Sequence, residues 1–192
     1  MIKQVVCFVS LCVVLFSCNN TPKEQALKET ANDSLVKSTA SGECEKLYAQ
    51  AKASDEILMR ALTLDKTVAT KAINDFNAYA SNCKTDSLAP VFLIKAGQVA
   101  QAIGSFTQAQ AMLNKCINEH TQFKNREAAI FLLAQLYDDP KMLNNEEEAK
   151  KLYEQVISEY PKTSYATDSR AAIQNLGKTD EQLIQEFLKK KQ

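Results

Sequence analysis

Six cysteines, one histidine and a few paired carboxylates are the side chains of this 192-residue chain whose types could carry chemistry. A Ser, Cys or Lys nucleophile needs a base within hydrogen-bond reach, most often a histidine. His120 is the single candidate, and it closes an apolar helical segment in the same register as Cys83 and Tyr160, which marks a packing position. No two cysteines have the Cys-x-x-Cys spacing that a dithiol redox centre or a zinc site requires. The sequences His-Glu-x-x-His, Gly-x-Ser-x-Gly, the phosphate-binding Walker loop and Gly-x-Gly-x-x-Gly are all absent, so metal hydrolysis, acyl transfer and nucleotide binding lose their simplest supports. Asp138-Asp139 falls in a turn and Glu146-Glu147-Glu148 at a helix start, where runs of charge are solvated caps rather than acid–base pairs. The residues imply neither an enzyme nor a bound cofactor or metal.

The elements that position these side chains are helices. Four Gly and four Pro are too few for an all-β chain, which needs a turn every ~8–12 residues. From Glu43 onward apolar residues recur at three and four, and the spacing predicts helices over 43–60, 66–82, 88–102, 105–119, 124–138, 146–160, 164–176 and 180–190. Asn145 caps three glutamates at the positive end of one helix dipole. Thr179 and Gln182 form a capping box at the last start, after Gly177 closes the helix before it. With 23 basic against 23 acidic side chains, the chain lacks the cationic excess that displaces counterions from nucleic acid.

The N-terminus reads differently. Met1–Lys3 is a basic start, and Val5–Phe16 is an apolar run of twelve residues. As a helix it would reach about 18 Å, short of a ~30 Å bilayer core, so it reads as a signal peptide over 1–17. Leu15-Phe16-Ser17-Cys18 resembles the lipobox of bacterial lipoproteins. The resemblance implies cleavage before Cys18 and acylation of its sulfur, and two or three acyl chains would hold the mature protein firmly in a membrane. Residues 18–42 are then the lipidated Cys and a tether: Asn19–Gly42 is polar, small and without aromatics, too poor in apolar surface to offset its ordering entropy. Such a chain spans roughly 27 Å root-mean-square. No acidic run follows Cys18, which favours the periplasmic side over the cell surface, and an outer-membrane lipoprotein facing the periplasm is expected.

With Cys7 and Cys12 removed and Cys18 acylated, Cys44, Cys83 and Cys116 remain. Three thiols allow at most one intramolecular disulfide. Either Cys44 pairs with Cys83, since both fall at helix ends, or all three are small packing residues. A second reading makes one of the three the reactive thiol of a periplasmic enzyme or redox sensor.

Residues 43–192 repeat internally. Ala72–Val99, Ala109–Leu136 and Ala149–Leu176 align without gaps, and in each copy a small residue (Ala72, Ala109, Ala149) precedes a large one (Phe76, Leu113, Tyr153) by four. The small residue lets a paired helix approach, and the large one fills the space a turn later. Ala149-x3-Tyr153-x2-Val156-Ile157-x3-Pro161 resembles the second helix and closing Pro of the tetratricopeptide repeat, and Gly97, Ala134 and Tyr137 fit its first helix. Copies lie 37 and 40 residues apart instead of the family's 34, and Asp138–Asn145 holds three residues of the excess. The longer turns, such as Tyr160-Pro161-Lys162-Thr163-Ser164, are similar to those of envelope lipoproteins in the barrel-assembly and Tol–Pal groups.

The resemblance implies an all-α, tetratricopeptide-like helical-hairpin solenoid with a concave groove. The residue after the small first-helix position would face that groove: Gln98, Gln135 and Asn175. Three amides in a row suit the alternating donors and acceptors of an extended peptide, unless they are merely solvated. Three residues further on stand Gln101, Asp138 and Lys178, without the consistent basic charge that clamps a C-terminal carboxylate. The chain is thus expected to be a non-enzymatic scaffold for other envelope proteins, in outer-membrane assembly or envelope coordination, with no small-molecule substrate.

Overall fold

The computed structural model describes residues 42–189; the expected signal peptide, Cys18 and all of the tether but Gly42 lie outside them. Among the described residues eight helices follow one another: α1 Gly42–Arg60, α2 Lys66–Asn82, α3 Ala89–Ala102, α4 Phe106–Glu119, α5 Arg126–Asp138, α6 Glu146–Glu159, α7 Ser164–Asn175 and α8 Asp180–Lys189. Every boundary falls within two residues of its expected place. From α1 to α7 each helix packs on its predecessor, and α5 also touches α7. This is the contact pattern of a stack of hairpins, in which neighbours in sequence are neighbours in space.

The repeated small and large residues build the core. Ala72, Ala109 and Ala149 are fully buried, as are Phe76, Leu113 and Tyr153 four residues later, and Tyr79, Cys116 and Val156 three beyond that. Spacings of three and four put each set on one helix face, and each large side chain contributes about 1.5–3 kcal/mol of apolar burial. The first-helix partner must then be small. A Cβ on Gly97 would lie 2.8 Å from Leu113 Cγ, so α3 and α4 approach to a distance that only glycine permits in that register.

Local chemistry ends the helices. Cys83, His120 and Tyr160 are equivalent C-caps of α2, α4 and α6, each backbone N–H donating to the carbonyl four residues earlier. The Asp65 carboxylate accepts from the N–H groups of Thr67 and Val68. Asn145 Oδ1 accepts from Glu148 N at 3.1 Å. Thr179 and Gln182 exchange reciprocal bonds, Thr179 N to Gln182 Oε1 at 2.9 Å and Gln182 N to Thr179 Oγ1 at 3.3 Å. Gly177 (φ 72°) follows Leu176 (φ −56°, ψ 133°), and Lys178 N donates to Asn175 O. That is a type II turn, whose third residue needs the left-handed backbone glycine adopts freely.

Cross-links fasten the helices to one another within and between hairpins. Cys44 and Cys83 form a disulfide with a Cα–Cα separation of 5.8 Å, tying the start of α1 to the end of α2. Arg126 reaches from α5 to Ile117 O at 3.0 Å, the Glu159 carboxylate at 2.6 Å and the Tyr160 hydroxyl at 3.2 Å, so one guanidinium fastens α4, α5 and α6. Among the described residues no helix is long and apolar enough to cross a membrane.

Candidate functional site

Two helices and an insertion form a cleft. In α5, Phe131, Gln135 and Asp138 are spaced four and three apart and share a face; in α7, Asp168, Ala171, Ala172 and Asn175 do the same. The two faces meet across a cleft of about 1070 Å³. The small alanines of α7 leave it open, and Tyr153 of α6 rises into its floor. Phe131 lies between Tyr153 and Tyr165, with ring centroids 5.7 and 5.3 Å away, so ring packing behind the cleft fixes the Phe131 side chain.

The α5–α6 connection, where the repeat spacing is longest, supplies the cleft's third wall. Its start is an Asx turn, with Lys141 N donating to Asp139 Oδ1 at 2.8 Å. Leu143 N and Asn145 N donate back to the carbonyls of Leu136 and Tyr137, and Asn144 takes the left-handed conformation between them (φ 48°). These bonds fold the insertion over the end of α5 and carry Met142 to α3, where Gln101 Nε2 approaches Met142 Sδ at 3.4 Å. Gln101 thereby becomes part of the wall.

The groove residues expected from the repeat register divide accordingly. Gln135 and Asn175 are exposed and line the cleft together, with Gln101, Asp138 and Lys178 from the positions three further on. Gln98 is exposed on α3 but one turn short of the cleft, because the insertion meets that helix at Gln101.

Sequence reasoning placed Asp138 at the groove but missed the other carboxylates. Asp138, Asp139, Glu146, Asp168 and Glu181 all line the cleft, against Lys141 and Lys178, and the Lys178 ammonium is already paired with Glu186 at 2.8 Å. Asp138 and Glu146 read as a turn and a helix start; they are the last residue of α5 and the first of α6, and both line the cleft with Gln135. Burial raises the Asp138 carboxyl above the ordinary aspartate value; the Tyr153 hydroxyl, donating to Asp138 Oδ2 at 3.1 Å, acts against this, and the charges of Glu146 and Asp139 add to it. The spacing anomaly at 138–145 was the signal that could have located this wall.

The thiols and the histidine stand apart from the cleft. Cys116 is fully buried, its Sγ 3.6 Å from Pro90 O, and burial pushes the thiol up to about 12, the reverse of what a nucleophile needs. Cys44 and Cys83 are consumed by their disulfide. His120 has a buried Nε2 without a hydrogen-bond partner, and burial lowers its affinity for a proton. Among the described residues no three His, Cys, Asp or Glu side chains are grouped to hold a metal ion.

Residues 128–163 match the tetratricopeptide repeat. The match runs from Ala128 in α5 through the insertion and α6 to Thr163, the hairpin that carries Phe131, Gln135, Asp138 and Tyr153. No curated protein and no solved structure is significantly similar to the chain. An all-helical stack containing this repeat points to a protein–protein interaction role.

Proposed function

We propose that the chain is a lipoprotein, anchored through acylated Cys18 in the outer membrane and facing the periplasm, whose helical stack is a non-enzymatic scaffold holding an extended segment of another envelope protein. The observation that carries this reading is the cleft itself. Gln135 and Asn175 stand exposed on facing helices, and each amide offers a donor and an acceptor to a peptide backbone. Its setting on a hairpin matching a repeat used for protein binding supports the same conclusion. The lipobox resemblance and the polar segment after Cys18 support the anchor and the tether, and outer-membrane assembly or envelope coordination is the role for which such a scaffold is suited.

A photo-crosslinking amino acid at Gln135 in living cells tests the scaffold, with the same group at Glu154, on α6 outside the cleft, as control. We expect one envelope protein to be captured from Gln135 and not from Glu154; equal capture from both, or none, rejects the reading. Cys18→Ala should release the protein from the membrane fraction and leave its mass without acyl chains. An unmodified wild-type protein would reject the anchor.

A further inference from the structure

The cleft's charge names the chemistry of its occupant. The chain as a whole is neutral, with 23 basic and 23 acidic side chains, yet five carboxylates line this one concavity against two lysines. The carboxylates are also spread out. Asp138 ends α5, Asp168 lies in α7 and Glu181 in the first turn of α8, and they are not gathered as a metal site would gather them. A distributed row of negative charge fits a chain bearing several cations better than a single ion. The lining adds a second requirement, since the half-buried Phe131 and Met142 give the cleft apolar and aromatic surface beside its carboxylates. Lys and Arg carry long apolar stems beneath a charged head, and their cations are attracted to aromatic faces.

We propose, resting on the scaffold reading above, that the cleft binds an extended segment rich in Lys or Arg, with one cationic side chain lying against Phe131 and its charge between Asp138 and Glu146. The amides of Gln135 and Asn175 take the segment's backbone. An acidic C-terminal tail is rejected by the same carboxylates, so this cleft has the opposite polarity to a basic carboxylate clamp.

The mature full-length protein in detergent, titrated with three fluorescent octapeptides of alternating Leu and either Lys, Gln or Glu, tests this. The Lys peptide is expected to bind at least tenfold more tightly than the Gln peptide, the Glu peptide not at all, and the preference to shrink as salt rises. Asp138→Asn with Glu146→Gln should abolish the preference while the melting temperature holds, and Glu154→Gln should leave it unchanged. Equal affinity for the three peptides, no binding of the Lys peptide, or an undiminished preference in the double variant overturns the proposal. The crosslinking at Gln135 separates the two levels: a captured segment without Lys or Arg removes the cationic partner and leaves the scaffold, whereas no capture removes the scaffold itself.

Discussion

Asp138 is held at a cost, and the sign of that cost can be measured. Its carboxyl is raised by burial and by the charges of Glu146 and Asp139, the Tyr153 hydroxyl only partly compensating. A carboxyl raised on folding favours the native state while protonated, and that contribution is lost as pH climbs through the raised native value. At neutral pH the ionised group therefore works against folding. Asp138→Asn removes the charge and keeps an oxygen to accept from Tyr153. Thermal melts at neutral pH should show a melting temperature equal to or above wild type, and the rise in wild-type stability on acidification through the carboxylate range should shrink in the variant. A clear fall in melting temperature at neutral pH would mean that the charge is structural. A residue that destabilises the fold yet attracts a cationic segment is what a binding site contains.

At the scale of the element, α1 depends on its staple. Only Ala51 and Ser54 of its nineteen residues are buried. It is also held by the half-buried Leu47 and Leu58, by Tyr48 against the rings of Tyr79 and Phe92 at 5.8 and 6.3 Å, by the Lys95–Asp55 ion pair at 2.5 Å, and by the hydrogen bond from Ser54 to Asp75. The disulfide closes a loop between residues 39 apart in sequence, a constraint worth about 2–4 kcal/mol. Cys44→Ser should therefore speed amide exchange across residues 42–60 and leave α5–α7 as protected as before; unchanged exchange in α1 would show that its packing suffices. Elements were also what the sequence displayed most clearly. Ala and a large residue four apart are local signals, and so are Asn145 with its glutamates and Thr179 with Gln182, which is why the helices and their caps were legible. The cleft was half legible. Register placed Gln135 and Asn175, but Gln98 fell outside because the wall is made by an insertion whose path is set by bonds to Leu136 and Tyr137 carbonyls. No spacing rule encodes those bonds, and the carboxylates they gather looked like ordinary caps.

Across the whole molecule, contacts run between successive helices, so the stack resembles a chain of coupled units more than a single globule. Coupling between the N-terminal helices α1–α3 and the C-terminal helices α5–α7 passes mainly through α4, which packs on both α3 and α5, with the Gln101–Met142 contact as a lesser bridge. Leu113 sits at the centre of that helix, 1% exposed and directly over Gly97. Leu113→Ala leaves a cavity there at a cost of about 2–5 kcal/mol. In a close-knit globule this would lower the stability of every part equally. In a linear stack it weakens one interface, and the two sides should then unfold at different urea concentrations, with residues 66–102 and 126–175 losing amide protection separately in the variant. The cleft is built almost wholly from α5, the insertion, α6, α7 and the turn into α8, with Gln101 the one contributor from α3. Affinity for the Lys-bearing peptide should therefore fall less than threefold in Leu113→Ala, even though the mutation costs much of the fold's stability. Loss of protection on both sides at one urea concentration, together with a proportionate loss of binding, would show that the stack behaves as a single cooperative body and that the cleft is supported from the N-terminal hairpins as well.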